Sequence, residues 1–532
     1  MDYGFWSIVP PVLTIILAIV TKEILVSLFI GVYLGCLLLV DWNPISSVFK
    51  FIEILAGTYG DDDAVVSGVI TDPADAEIFI IIILLGGLVG LLVRSGGSQA
   101  FGELVSKKVK TQKGAQLITW VIGMCIFFDD YFNALTNGSV MRPVTDRFNV
   151  SREKISYIVD STAAGICVIS PISSYIAFVS GLIVAAYGVA GIEGNPYGEF
   201  LKTIPYNYYS WLALLMVFFM IILKIDFGLM AKAEKRARET GQVCEKTFSG
   251  GEADEDDFAA IEPAKGKVWI LLVPVFMLII LTVLLMVYTG GGFSGASMVD
   301  ILNNMDGTLS LTCAIAITVV FTMILLSVTR LSKMLETMQA FIIGAKSIMY
   351  VLLMLALAWA IGSICDEMGT AAYVVDAIGK SLSPAIIPLI IFLVACGLTF
   401  ATGAEWGVWA IMMPLVVPLA VNTGVNPVIA MSAVLGGGLF GGHCSPLSDM
   451  IVLSSASCNI RPIDHVKTQV PYSVTCASCA AVGYIVSGFM DNWYIPMLVT
   501  FGAFFVAVFI LKNLFGEKKQ KLDNMPDPDA AV

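Results

Sequence analysis

Gly436–Cys458 reads GGGLFGGHCSPLSDMIVLSSASC. The stretch is apolar enough to lie in a membrane. It nevertheless holds five glycines, a proline, a histidine, an aspartate and several serines, none of which a plain lipid-facing helix needs. Its core, Ser445-Pro446-Leu447-Ser448-Asp449, has an earlier counterpart in Ser170-Pro171-Ile172-Ser173-Ser174. Two broken, polar, intramembrane segments in matching places point to an internal repeat of the kind used by membrane carriers.

Composition agrees. The 532-residue chain is 57% hydrophobic and only 14% charged, where a soluble chain would carry roughly a quarter charged residues. Mean hydropathy is +0.86, and apolar runs of about 20 residues recur along most of the length. The first run lacks a basic leader and passes directly into a second, so it reads as a span rather than a cleavable signal. The 11 cysteines lie mostly inside apolar segments and form no disulfide framework. Cys476 and Cys479 have CxxC spacing but sit in a run of small residues, which favours packing over redox or metal chemistry. The net charge of −12 comes largely from loops, and no basic patch suggests nucleic acid. Gly436-x-Gly438-x-x-Gly441 matches a dinucleotide fingerprint in letters only, without its strand. No Walker motif, zinc spacing or Ser-His-Asp arrangement stands out, so neither ATP hydrolysis nor an intramembrane enzyme is expected.

In chain order, residues 4–20 and 22–40 read as a helical pair, 41–76 as a polar segment, and 77–95 as a span. Residues 98–113 read as a basic amphipathic surface helix. Two short pieces, 114–128 and 131–142, flank Asp129 and Asp130. Residues 153–189 form a long segment broken near Pro171, and 206–225 cross again. The polar stretch 226–266, with its acidic run Glu252–Asp257, reads as a solvated linker. The second half repeats the order: a pair at 267–289 and 305–329, a span at 341–364, an amphipathic 371–383, pieces 384–401 and 404–421 around Glu405, a segment 427–456 broken near Pro446, and a span at 468–490. One extra helix, 492–513, precedes a polar tail.

Basic residues should favour cytoplasmic loops. Placing 96–113, 142–154, 226–266, 330–340, 457–467 and the tail inside leaves outside only Lys50, Lys202 and Lys380 of the 30 basic residues. The hairpins 114–142 and 384–421 then enter from opposite sides. The expected fold is an all-α polytopic membrane protein with two inverted repeats, 1–225 and 267–490. Each holds a re-entrant hairpin and a broken helix (153–189 and 427–456). The linker 226–266 joins them, and 491–532 adds one C-terminal helix and a cytoplasmic tail. Such repeats place their site at the interface near the midplane.

The broken helices are the first candidates for chemistry. A proline frees backbone carbonyls, tolerated at membrane depth only inside protein or along a wet cavity. Those carbonyls, with Ser445, Ser448 and the charge of Asp449, suit a hard cation such as sodium. Ser170, Ser173 and Ser174 offer neutral oxygens in the first repeat, with Asp160 and Thr162 upstream. The structural alternative is a kink with serines bonded back to the helix. Asp129 and Asp130 sit at a hairpin tip. Ionisable groups at membrane depth usually face a cavity or partner, and adjacent acids resist ionising together, which suits a proton carrier. The alternative is a tip that sees water. Asn133, Thr136 and Asn137 would cap the half-helix or touch substrate. Glu405 is the acid of the other hairpin, in Thr399-Phe400-Ala401-Thr402-Gly403-Ala404-Glu405-Trp406. Trp406 and Trp409 would wall an organic substrate or serve as belt and packing aromatics. His443 suits proton coupling or shapes the kink. His465, beside Arg461 and Lys467 in an expected cytoplasmic loop, is read as outside the site.

Four segments, Phe128-Asp129-Asp130-Tyr131, Ile169–Ser174, Thr402–Gly407 and Gly442–Asp449, resemble the NhaC-type sodium/proton antiporter family of the ion transporter superfamily. The resemblance runs from about residue 77 to residue 490. It implies secondary active transport on a scaffold-plus-transport-domain architecture, with sodium and protons as coupling ions and no cofactor. Relatives include exchangers of organic acids and drug exporters. The leading expectation is Na⁺/H⁺ antiport across the bacterial inner membrane, with Asp449, Ser445 and Ser448 binding sodium, and Asp129, Asp130, Glu405 and His443 carrying protons. A sodium- or proton-coupled carrier of a small organic metabolite is the alternative, with the hairpin tips, Trp406 and Asn137 lining a larger pocket. A channel would show unitary currents instead of saturable exchange. A purely structural membrane protein would leave the intramembrane acids without a role. By analogy, a homodimer is expected.

Overall fold

The computed structural model describes residues 3–21, 23–59, 65–66, 68, 70–71, 73–106, 109–245, 261–294, 305–370, 373, 383–490 and 492–515. Among these residues the regular elements are helices, apart from paired two-residue strands at Thr58–Tyr59 and Val65–Val66. Among the described residues, nine helices are long and apolar enough to cross a membrane, or up to eleven if each of two bent pairs is one span.

The first part contains α1 (Val9–Thr21), α2 (Ile24–Leu39), α3 (Pro44–Ala56), α4 (Pro73–Ser95) and α5 (Gly97–Ser106). Residues 41–76 are therefore more than a polar connector. Asn43 caps α3 by accepting from the amides of Ile45 and Ser46, and Pro44 fits its first turn. The helix bends 115° from α2. Ile45, Val48, Phe49 and Ile52 line its exposed face. Of the helix read over 98–113, Gly97–Ser106 is helical and residues 107–108 lie outside the described residues. Thr111 starts the next by accepting from Gly114 N.

A compact group follows: α6 (Gln112–Cys125), α7 (Asp130–Asp146), α8 (Arg152–Cys167), α9 (Ser174–Ala190), α10 (Pro196–Thr203) and α11 (Tyr208–Leu223). The stretch 226–266 is not simply a solvated linker. Its first part forms α12 (Gly228–Thr240), docked by a buried ionic cluster. Lys154, 1% exposed, meets Asp226 at 2.7 Å and Glu234 at 3.8 Å. Glu234 also accepts from the Ser151 amide and hydroxyl. Lone buried charges are costly, so this network explains why so polar a sequence packs. The acidic run 252–257 lies outside the described residues.

The second part has α13 (Val268–Thr289), α14 (Gly307–Val328), α15 (Met334–Ser347) and α16 (Met349–Glu367). The span read at 341–364 lies within one apolar helical run, Met334–Glu367, interrupted only at Ile348, and 371–383 lies largely outside the described residues. Helix α15 packs on α4 through small residues. A Cβ on Gly86 would come 2.6 Å from the Gly344 carbonyl, and Gly90 faces the Ala340 carbonyl. Small residues spaced by four permit this close approach. The last group is α17 (Ile387–Thr402), α18 (Glu405–Thr423), α19 (Pro427–Cys444), α20 (Asp449–Cys458), α21 (Pro462–Ser487) and α22 (Tyr494–Phe515).

One expectation is overturned here. Residues 457–467 are not all loop: α21 begins at Pro462 and carries His465 in its first turn, fully buried. Asp464, His465 and Lys467 lower the local hydropathy. Yet Arg461 pairs with Asp464 at 2.7 Å, and the histidine turns into protein rather than lipid.

The site is positioned by a reciprocal packing. The α6–α7 hairpin lies against α8 and α20. The α17–α18 hairpin lies against α19 and α9. Each hairpin thus contacts one half of each broken helix.

Candidate functional site

The first helix break covers residues 168–173. Ser173 starts α9 by accepting from Ile176 N and donates to the Cys167 carbonyl at 2.8 Å. Ser170 donates to the Ile172 carbonyl, and Tyr197 donates to the Pro171 carbonyl at 2.7 Å. The freed backbone here is largely satisfied from within, as the structural alternative expects. Ser174 differs. Its amide bonds Phe128 O at 2.8 Å, joining this break to the first hairpin tip. Its buried hydroxyl has no partner among the described residues.

At that tip, Asp129 caps α7 by accepting from Phe132 N at 2.8 Å. Asp130 turns inward, 1% exposed. It accepts from the Tyr175 hydroxyl at 2.9 Å through Oδ2, while Oδ1 has no partner among the described residues. Asn133 donates to the carbonyls of Gly123 and Ile126, both at 2.8 Å, and Asn137 donates to Thr119 O at 3.0 Å. These amides close the C-terminal end of α6 onto α7. Their Oδ1 atoms are buried and have no partner among the described residues.

The second hairpin turns at Gly403, with φ +79°, against the Leu447 carbonyl, where a Cβ would come within 2.6 Å. Glycine is required by both conformation and space. Thr402 bonds back to Leu398 O at 2.9 Å. Glu405 opens α18, 4% exposed, with neither carboxylate oxygen partnered among the described residues. It packs on Gly442, where any Cβ would collide with it. It lies within electrostatic range of Asp160, Asp130 and Asp449. Trp406 and Trp409 are interior rather than belt residues. Tyr175 meets them edge-on at 5.0 and 5.3 Å, and Phe178 lies 4.6 Å from Trp406.

The second break covers residues 445–448. Ser445 accepts from Leu447 N at 3.3 Å, and both Ser445 and Ser448 are buried. Asp449 is exposed at the start of α20 and accepts from the Tyr131 hydroxyl at 3.2 Å. At the far end of α20, Arg142 donates to Ser457 O and Arg152 to Asn459 O, each at 3.2 Å, where helix carbonyls favour cations. His443 is fully buried. Its Nδ1 lies 2.9 Å from the Tyr209 hydroxyl and its Nε2 lies 3.9 Å from Asp160 Oδ2.

The structure therefore gathers Asp129, Asp130, Ser174, Glu405, Trp406 and His443 in the interior, and sets Asp449 at its edge. Asn133, Asn137, Ser170, Ser173 and Thr402 hold the backbone together. Sequence reasoning underweighted Asp160, which is fully buried in α8. The acid in Val159-Asp160-Ser161-Thr162 was the available signal. Nothing in spacing alone links it to Gln469 or His443.

Among the described residues, no lysine or arginine forms an ion pair with Asp130, Asp160 or Glu405. Buried acids gathered between helix breaks in a membrane bundle define a secondary membrane transporter. The chain belongs to the Na⁺/H⁺ antiporter family, whose sequence model matches residues 166–489. It is 34% identical over 519 residues to an uncharacterised protein of Haemophilus influenzae, covering 96% of this chain and 95% of that protein. A shorter match, 28% identical over 109 residues, covers 20% of this chain and 23% of the malate-2H⁺/Na⁺-lactate antiporter of Bacillus subtilis. In fold it is similar to the YdaH transporter of Alcanivorax borkumensis. The TM-score is 0.53 at 12% identity, over 87% of this chain and 98% of that one.

Proposed function

We propose that the protein exchanges sodium for protons across the bacterial inner membrane. The observation that carries this reading is the set of buried carboxylates, Asp130, Asp160 and Glu405, that have no lysine or arginine partner among the described residues. Leaving several such anions uncompensated in a membrane interior is costly. Each must therefore hold a proton or share a cation. A site that holds one or the other, never neither, couples the two flows. Asp449, Ser445 and Ser448 at the second break receive sodium. Asp129, Asp130, Glu405 and Asp160 share that cation or hold protons in its place, with His443 beside them.

In this reading residues 1–225 and 267–490 are inverted repeats, and the tail is cytoplasmic. A homodimer would hold still the helices around α4 and α15 while the hairpins and broken helices move. The coupling ions are the only small partners required besides the bilayer. A test is proton release on sodium addition to purified, weakly buffered protein. The reading expects release that saturates with sodium and disappears in Glu405→Gln. No release from the wild-type protein would contradict it.

A second reading is favoured by Tyr175, Trp406 and Trp409, a buried aromatic cluster whose Trp409 Nε1 has no partner among the described residues. Such a wall suits a small organic acid carried with the ions. Sodium-driven uptake of labelled organic acids would support it.

A further inference from the structure

Gln469 lies on α21, four residues after His465, and both are fully buried. Its Nε2 donates to Asp160 Oδ2 and, at 2.9 Å, to the His443 carbonyl. Both acceptors are oxygens, so both amide protons are committed and Oε1 must face the other way. It faces His465 Nε2 at 2.8 Å. Because Oε1 can only accept, His465 Nε2 carries the proton. Neutral His465 then accepts at Nδ1, where the hydroxyls of Ser156 and Ser455 lie 2.9 and 3.0 Å away and that of Ser454 lies 3.4 Å away. Ser454 donates instead to the Met450 carbonyl at 2.6 Å, so the chain of donors runs toward Asp160 from the Ser156 or Ser455 hydroxyl through the imidazole and the amide.

We propose that Gln469 is a positioning residue for Asp160, with His465 locking the orientation of its amide. The inference rests on the exchange reading above. The amide supplies the carboxylate of Asp160 with a fixed donor while leaving Oδ1 without a partner among the described residues. It thereby favours the charged form that a cation must find. The histidine does not itself touch the ion. A reversed amide would set NH₂ against the Nε2 proton and a carbonyl against the carboxylate, so one imidazole proton decides whether Asp160 is supported or repelled.

The experiment compares sodium-dependent exchange in proteoliposomes for the wild-type protein, Gln469→Met, His465→Gln and His465→Asn. Gln469→Met keeps the volume and removes the donor. Half-saturating sodium should rise about tenfold, the scale of one charge-assisted hydrogen bond, with thermal stability and maximal rate changed far less. His465→Gln places an amide donor where Nε2 stood and should retain near-wild-type sodium affinity. His465→Asn serves only the serines and should behave like Gln469→Met. Equal loss in both His465 variants, or a fall in maximal rate without a change in sodium affinity, would overturn the positioning role. Wild-type protein that fails to exchange would instead overturn the exchange reading itself.

Discussion

The Tyr131 hydroxyl donates to Asp449 Oδ2 at 3.2 Å across 318 residues of sequence. The start of α7 is thereby tied to the start of α20, so the first hairpin and the second broken helix share a carboxylate. If Asp449 receives sodium, that contact must yield whenever the ion binds or leaves. Tyr131→Phe removes one hydrogen bond, worth about 0.5–1.5 kcal/mol. It should shift half-saturating sodium by up to about tenfold. Asp449→Asn should abolish the sodium dependence of exchange while the protein still elutes as a single folded species. Unchanged sodium dependence in Asp449→Asn would remove this residue from the ion site.

Asp160→Asn and Glu405→Gln should separate stability from transport. Each replaces a buried acid, 0% and 4% exposed, by a neutral isostere, which relieves burial of charge. Melting temperature should therefore stay level or rise by a few degrees while exchange is lost, the usual opposition of stability and site chemistry. Thermal unfolding followed beside a flux assay reads both. A large fall in melting temperature would assign these acids a structural role.

The ionic cluster under α12 should behave in the opposite way. Lys154→Met removes the buried cation between Asp226 and Glu234 and leaves them the more exposed Arg238, at 3.4 and 3.3 Å. The expected cost is about 3–5 kcal/mol, visible as a lower unfolding temperature. A further change of Asp226 to Asn should restore part of it. Equal stability of Lys154→Met and wild type would mean the docked helix is dispensable.

How much of this was legible beforehand differs by residue type. The helix breaks could be read because proline and serine inside apolar sequence have few structural uses at membrane depth. The acids at 129, 130 and 405 stood out for the same reason. Helix α12 was hidden because its burial depends on Lys154, dozens of residues away in α8. His465 was hidden because Arg461, Asp464 and Lys467 give its neighbourhood the composition of a loop, while its partners Ser156 and Ser455 lie on other helices. Composition reports the average environment of a window. It does not report which single side chain turns inward.

The glycine seam between α4 and α15 gives a prediction about the frame. Gly90 faces the Ala340 carbonyl with no room for a Cβ. Gly90→Leu should force the helices apart, at a cost of about 1–3 kcal/mol or more. Folded yield and melting temperature should both fall, whereas Gly188→Ala, where a Cβ meets nothing within 4 Å, should leave them unchanged.

The central claim is that sodium and protons compete for the same buried carboxylates. The most direct measurement is internal pH in proteoliposomes holding the wild-type protein, after a pulse of external sodium and with no metabolite present. The account predicts that internal pH rises as protons leave against sodium, that the response saturates with sodium, and that it is absent in Glu405→Gln. Internal pH that stays flat until an organic acid is added would contradict it, and would assign the same residues to a metabolite carrier.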